Sequence, residues 1–334
     1  MTGWLAGSAT GIGSLPGTDI AEAVKTVFGE LPDLPHLPEL PARGPGADMV
    51  GRSAGFLVEM PVELYAARWR LTGRPGVDLR RARDMTERDL DTLTEQVDGY
   101  TGPLKVQAAG PWTLAATVDL PVGGRVLRDH GAVRDLTDSL AEGLAAHVGE
   151  VAARVRGAAV ILQLDEPSLP GVLAGGIPTE SGLHRYRPVE VTVAEQALRQ
   201  VVERVGVPVV VHCCAPGVPV ALSRAAGAVA VSLDLSLLDL DDPAAADPLG
   251  EALDAGAGLF AGVVPTSPPA VGAAEVADRL RTVWRRFGFA AEQLPEQVVI
   301  TPACGLAGAS PEYARTAMMT CREAARRLAD DPGS

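Results

Sequence analysis

Four residues in the C-terminal half of the chain carry side chains that bind soft divalent metals: His212, Cys214, Asp234 and Cys304. Side chains alternate between faces in an extended strand, so His212 and Cys214 project to one side and Cys213 to the other. One imidazole, two thiolates and a carboxylate suit tetrahedral zinc. Three protein ligands with an exchangeable fourth position are the catalytic pattern. The set therefore predicts a zinc site that deprotonates a bound thiol and presents it as a nucleophile.

Each residue of this set has a simpler explanation when it is taken alone. A lone cysteine is usually a small buried residue, as we expect for Cys213 and Cys321, and a strand-end carboxylate usually caps a helix. The other histidines have no ligand partner at useful spacing: His36, His130, His147 and His184. The combination is more informative, because its members come from the ends of three different predicted strands, which a barrel brings around one axis.

Short β-branched runs alternate with longer amphipathic stretches along the chain. We expect eight strands: Leu5–Ile12, Pro35–Leu40, Leu104–Ala109, Ala159–Asp165, Pro208–His212, Ala228–Leu235, Gly258–Val264 and Gln297–Thr301. We expect nine helices: Ile20–Phe28, Phe56–Arg70, Glu87–Val97, Val133–Arg156, Val191–Val205, Pro219–Ala226, Pro248–Ala255, Ala274–Phe287 and Pro311–Leu328. Gly44–Gly55 is expected to be a loop, and Gly171–Pro188 a loop or hairpin.

Apolar strands that alternate with helices indicate an α/β fold with a parallel sheet covered by helices. Eight such units predict a (β/α)8 TIM barrel, formed by residues 1–334 as a single domain. A doubly wound open sheet is the alternative. In a barrel, chemistry sits where the strands end at their C-terminal side, which is where the candidate residues stand.

Composition excludes several classes of function. A formal net charge of −13 argues against a nucleic-acid partner, which requires a basic surface. The apolar runs are too short to span a membrane, and the N-terminus lacks the pattern of a signal peptide, so we expect a cytoplasmic protein without a membrane partner. The four cysteines are more consistent with metal ligands or buried residues than with a disulfide framework.

Five short motifs occur in order along almost the whole chain. They are Gly11-Ile12-Gly13-Ser14-Leu15-Pro16, Gly110-Pro111-x-Thr113, Gln163-x-Asp165-Glu166-Pro167, His212-x-Cys214 and Pro302-x-Cys304-Gly305-Leu306. In this order they resemble the C-terminal catalytic barrel of the cobalamin-independent methionine synthase family. We expect a single-barrel relative of that family.

The resemblance implies methyl transfer to the thiol of homocysteine, which forms methionine. Ile12, Gly13 and Ser14 would hold the homocysteine carboxylate. Glu39 and Asp165 would hold its amino group. The zinc cofactor would be bound by His212, Cys214, Asp234 and Cys304.

Some positions depart from the family pattern. Asp234 stands where the family has a glutamate. The proton-donating histidine after the seventh strand is absent from Val264–Pro268, so no catalytic residue is assigned, and Thr266 lies nearby. Two folate-binding positions fall near Thr117 and Gly171, which lack the family's tryptophan and glutamate. The donor is therefore expected to be 5-methyltetrahydrofolate or a methylcorrinoid, the latter on a corrinoid protein.

Two alternatives remain open at this stage. The zinc site could act on another thiol, such as a coenzyme M-type acceptor, although Ser14, Glu39 and Asp165 favour an amino acid. The barrel could also bind zinc or a thiol without catalysis, as the missing histidine suggests. Metal-free uroporphyrinogen decarboxylase relatives share the barrel but do not need the His-x-Cys pair and the distant cysteine.

Overall fold

The structure, a computed structural model, describes residues 7–333. A two-stranded antiparallel hairpin comes first, formed by β1 (Val62–Tyr65) and β2 (Arg68–Leu71). Six parallel strands follow and pair in sequence order: β3 (Pro103–Ala109), β4 (Ala159–Asp165), β5 (Val209–Cys213), β6 (Ala230–Asp234), β7 (Gly258–Val264) and β8 (Val298–Pro302). The prediction of an α/β fold with a parallel sheet is confirmed, and these six strands lie within three residues of their predicted bounds.

Helices alternate with these strands. They are α1 (Ile20–Glu30), α2 (Met49–Ala54), α3 (Val77–Gln96), α4 (Pro111–Thr117), α5 (His130–Arg154), α6 (Leu169–Leu173), α7 (Val191–Val205), α8 (Val220–Ala225), α9 (Pro243–Asp254), α10 (Ala273–Phe287), α11 (Leu294–Gln297) and α12 (Pro311–Asp330). Short 3-10 turns occur at Pro41–Arg43, Val126–Arg128, Leu235–Leu237 and Ala291–Gln293. Within residues 7–333, none of these helices has the length and apolar character that a membrane crossing requires.

Two segments near the N-terminus join the edges of the six-stranded sheet. Ala9 forms a parallel bridge with Ile300 of β8, and His36 forms one with Lys105 of β3. A third parallel bridge, between Ser14 and Glu39, connects the two segments to each other. The described residues therefore continue from β8 back to β3 through single bridges.

These bridges correct the prediction of eight full strands. The parts of Leu5–Ile12 and Pro35–Leu40 that the structure describes form bridges and not strands; residues 5 and 6 lie outside the described range. Pro35 and Pro38 lack the N–H that a sheet ladder needs, so the second segment cannot pair regularly along its length.

A second correction concerns residues 44–71. The predicted helix Phe56–Arg70 is wrong, because the hairpin β1–β2 occupies most of it, with Val62 paired to Leu71 and Leu64 to Trp69. The turn uses Ala66 and Ala67 at φ values of 48° and 62°. The predicted loop before it contains α2 instead, whose N-terminus is capped by the Asp48 carboxylate. α4 and α6 were also not predicted.

The inward face of the sheet changes character along the strands. An apolar cluster fills one end of the interior: Leu34, Ile161, Val210, Ala230, Phe260 and Val299. Because side chains two residues apart share a face, positions 163, 212, 232 and 301 face the same way, one step nearer the carboxyl ends. These positions are Gln163, His212, Ser232 and Thr301, all buried. The polar end of the interior is thus the carboxyl end of the sheet.

Candidate functional site

Three predicted metal ligands converge at the carboxyl end of the sheet. His212 lies in β5, Cys214 directly follows it, and Cys304 lies two residues beyond the end of β8. One ligand atom from each residue lies within 4.8 Å of the other two. The Sγ atoms of Cys214 and Cys304 are 3.1 Å apart. Residues separated by 90 positions in the chain therefore present their sulfur atoms to one small volume.

His212 is oriented by a neighbouring strand. Its Nδ1 lies 2.8 Å from Oγ of Ser232 in β6, and both side chains are buried. Its Nε2 is buried and has no hydrogen-bond partner among the described residues. An unpaired buried nitrogen beside two thiols marks a position that a cation would satisfy. One imidazole nitrogen and two thiol sulfurs are donors of catalytic zinc sites, so the residues present fit that ion.

The two cysteines differ in their acidity. The pKa of Cys304 is lowered to about 4, mainly by its hydrogen bond with Cys214 and further by His212, although burial opposes this shift. The same hydrogen bond, together with burial, raises the pKa of Cys214. The lowered pKa favours the thiolate form of Cys304, and a thiolate is the form that binds metal.

Asp234 lies at the end of β6 but is not part of the group of three. Its Oδ1 accepts hydrogen bonds from the backbone N–H of Ser236 at 2.8 Å and from the Ser236 hydroxyl at 2.6 Å. The carboxylate thus caps the 3-10 turn that follows the strand. The structure brings Asp234 to the same edge of the sheet, with its carboxylate engaged in this turn.

Two of the buried carboxylates at this end of the sheet, Asp165 and Glu39, are predicted to contact the substrate. Asp165, the last residue of β4, pairs in register with His212 of β5. Burial raises the pKa of Asp165, and burial raises the pKa of Glu39 to about 7, while Arg52 lowers it. The Nε of Arg52 is 3.4 Å from the Glu39 carboxylate. Buried carboxylates next to a metal-type donor set are suited to hold a ligand cation such as an ammonium group.

The segment Ile12–Ser14 is held from two sides. The Ile12 carbonyl accepts hydrogen bonds from Nζ of Lys105 at 2.9 Å and from Nε2 of Gln163 at 2.8 Å. The Ser14 carbonyl accepts from the N–H of Leu306 at 2.8 Å. A Cβ at position 305 would approach Oγ of Ser14 to 2.1 Å, so only glycine fits there. The segment therefore contacts the same loop that carries Cys304.

Two of the sequence motifs are explained by a single buried side chain. The Glu166 carboxylate accepts from the N–H of Trp112 at 2.9 Å, and from the N–H and hydroxyl of Thr113 at 2.7 Å each. A Cβ at position 110 would come within 2.3 Å of Oε1 of Glu166. Glu166 thus satisfies the free N–H groups at the start of α4 and fixes that helix to the end of β4.

The loop after β7 contains Thr266, near the expected position of the proton donor. The hydroxyl of Tyr313 in α12 donates to the carbonyls of Pro265 and Ser267, at 3.0 Å and 2.8 Å. Tyr313 therefore anchors this loop from outside the sheet, a contact that the sequence alone did not indicate.

Several buried polar side chains that were not predicted from the sequence surround the site. They are Arg52, Lys105, Gln107 and Ser232. Lys105 gave a usable signal, because a lysine inside an otherwise apolar predicted strand must find buried partners. Arg52 gave none, since it belongs to a segment that was read as a loop.

Comparison with known proteins agrees with this architecture. The family model described as "Cobalamin-independent synthase, Catalytic domain" matches residues 7–327. A search of curated protein sequences gives no match.

Solved structures show the same fold at low identity. A B12-independent methionine synthase from Shewanella sp. W3-18-1, in complex with selenomethionine, is 15% identical with a TM-score of 0.62, over 98% of both chains. A methyltransferase from Methanosarcina mazei is 16% identical with a TM-score of 0.50, over 96% of this chain and 93% of its own. Because one family model covers nearly all of the described residues, the chain belongs to the cobalamin-independent synthase catalytic-domain family and is a methyltransferase.

Proposed function

We propose that this protein is a zinc-dependent methyltransferase that methylates the thiol of homocysteine to form methionine. The observation that carries the proposal is the register of β4 and β5, which sets the buried Asp165 carboxylate directly beside His212. A ligand with a thiol and an ammonium group can therefore place its thiol at the metal site of His212 and its ammonium group at the Asp165 carboxylate. Homocysteine carries these two groups and a carboxylate on one short chain.

His212, Cys214 and Cys304 would hold the zinc ion. Zinc, when bound, favours the thiolate form of a coordinated substrate thiol at neutral pH. Asp234 as a fourth ligand remains a prediction, which would require its carboxylate to move closer to the ligand atoms of His212, Cys214 and Cys304.

The remaining groups of the site orient the substrate. Asp165 and Glu39 would pair with its ammonium group, since buried carboxylates favour an opposite charge. Ile12, Gly13 and Ser14 would hold its carboxylate. The B12-independent methionine synthase from Shewanella was solved with selenomethionine, an analogue of the product proposed for this chain.

The barrel would be completed by the two bridged segments. We propose that the regions of Ala9 and of His36–Glu39 occupy the first two strand positions of a (β/α)8 ring, with residues 1–334 as a single domain. The bridges to Ile300 and Lys105 support this, because they link the two edges of the six-stranded sheet.

The methyl donor is proposed to be either 5-methyltetrahydrofolate or a methylcorrinoid. Thr266 and its neighbours provide no imidazole where the family has its proton donor. A methylcorrinoid, presented by a partner protein, would not require the folate contacts that Thr117 and Gly171 lack.

The test is to measure zinc content and homocysteine-dependent methionine formation with each donor in turn. The expected result is one zinc per chain and methionine from at least one donor. Cys304→Ser should lose both zinc and activity, whereas Cys321→Ala, a thiol deletion in the outer core, should keep both. If neither donor gives methionine, the proposal is overturned. Methylation of a coenzyme M-type thiol in place of homocysteine would reassign the acceptor. Tight homocysteine binding without turnover would indicate a binding protein.

A further inference from the structure

We infer that Lys105 is a positioning residue that holds the Ile12–Gly13 peptide so that its N–H faces the carboxylate of the substrate. This inference rests on the proposed function, because it assumes an amino acid as the acceptor. Lys105 makes no hydrogen bond with the proposed metal ligands. Its Nζ contacts the segment through the backbone carbonyl of Ile12.

The Lys105 side chain is built into the sheet interior. Lys105 has no exposed surface, and its Nζ donates to the Ile12 carbonyl at 2.9 Å and to Oε1 of Gln107 at 3.1 Å. Gln107 in turn donates to the Leu37 carbonyl at 2.5 Å. Burying a lysine is costly unless its hydrogen bonds are made, and these contacts with Ile12 and Gln107 offset part of that cost. Together these hydrogen bonds fix the segment that carries Ser14, through Ile12, and the segment that carries Glu39, through Leu37.

Peptide geometry connects this contact to the substrate. In a planar trans peptide the C=O and the N–H of the next residue point in opposite directions. The Ile12 carbonyl points to Lys105 of β3 and Gln163 of β4, into the interior. The N–H of Gly13 therefore points away from Lys105 and Gln163, and the proposal places the substrate carboxylate on that side of the peptide. A Cβ at position 13 would meet the Gln107 side chain at 2.9 Å, so glycine allows this close approach.

The charge of Lys105 fits the same role. Burial lowers its pKa to about 7, while Asp165 and Glu39 act in the opposite direction. An amine donates a hydrogen bond in both its neutral and its protonated form. The contact with the Ile12 carbonyl is therefore kept when the amine changes charge.

The experiment compares two thiols on zinc-loaded protein. Homocysteine has the carboxylate, and 3-aminopropane-1-thiol is the same chain without it. Replacing Lys105 by Met removes the donor at similar length, and affinity for homocysteine should fall about tenfold, the value of one buried hydrogen bond to a charged donor. Affinity for 3-aminopropane-1-thiol should fall by a smaller factor, because that ligand shares only the ammonium contacts with Asp165 and Glu39 and makes none with Gly13.

Two further variants keep the result interpretable. Thr137→Val removes a buried hydroxyl of α5 that donates to the Val133 carbonyl in the same helix, and should leave both affinities unchanged. Lys105→Gln keeps a donor and should show a smaller loss for homocysteine alone; it also serves if Lys105→Met fails to fold. In turnover, the loss should appear in KM for homocysteine and not in kcat.

The outcomes separate the two proposals. If wild-type protein binds no homocysteine, the proposed function fails. If wild-type protein binds it, and Lys105→Met weakens both thiols equally or neither, the positioning role is refuted while the proposed function stands.

Discussion

The hydrogen bond between His212 and Ser232 offers a direct test of the metal site. If Nε2 of His212 binds zinc, Nδ1 carries the proton and donates to Oγ of Ser232, 2.8 Å away. Both side chains are buried, at 3% and 1% exposure, so water cannot replace the hydroxyl in Ser232→Ala without rearrangement. Leaving a buried N–H unpaired costs about 1–3 kcal/mol.

The cost falls on the zinc-bound state, because only that state fixes the tautomer with a proton on Nδ1. We therefore expect Ser232→Ala to weaken zinc binding by about tenfold to hundredfold, the range typical of groups that orient a metal-binding histidine. The assay is competition with a chromophoric zinc chelator at fixed pH. Ser223→Ala is the matched control, since Ser223 is fully buried but donates to the Pro219 carbonyl, away from the site.

Equal zinc affinity in Ser232→Ala and wild-type protein would refute this reasoning. So would an equal loss in Ser223→Ala, since that would attribute the effect to general destabilisation. A loss confined to Ser232→Ala would identify Nε2 as the ligand atom.

Three further predictions test other parts of the site. Gly110→Ala should lower the free energy of unfolding by about 1–3 kcal/mol, because its Cβ would overlap the Glu166 carboxylate, whereas Gly73→Ala, whose Cβ meets no atom within 4 Å, should leave thermal unfolding unchanged; equal effects would contradict this. Affinity for methionine should fall as pH drops through about 7, where Glu39 becomes protonated, and Glu39→Gln should remove most of that dependence in calorimetry. Asp234→Asn should retain zinc stoichiometry, because Asp234 lies outside the group of three residues whose ligand atoms are within 4.8 Å of one another; loss of the metal would show that Asp234 ligates.

The sequence predicted the parallel sheet well because burial on both faces leaves a simple pattern. β4 and β7 have their predicted bounds, since each is an apolar run, interrupted in β4 only by Gln163, and β4 ends in Asp165 while a proline follows β7. The hairpin β1–β2 was missed because its turn uses Ala66 and Ala67 with positive φ, a conformation that alanine rarely signals. Short helices such as α4 were missed because a buried carboxylate from a distant strand, Glu166, caps the start of the helix.

The site was predictable where spacing alone sets geometry. The alternation of side chains places His212 and Cys214 on one face, and the strand-end rule adds Cys304. The supporting residues were not predictable in the same way. Arg52 and Ser232 reach the site through tertiary packing, and no local pattern connects either of them to Glu39 or His212.

The single bridges at the edges of the six-stranded sheet have a consequence for motion. The metal-type ligands stand on or directly after strands with continuous ladders, whereas Ser14 and Glu39 stand on segments joined by single bridges. The segments joined by single bridges can separate locally at a lower free-energy cost than the continuous ladders of the neighbouring strands. Backbone amides of residues 9–14 and 36–39 should therefore exchange with solvent faster than those of β4 to β7. Local opening of these two segments would widen the pocket for the proposed substrate. The sulfur and imidazole groups would keep their positions.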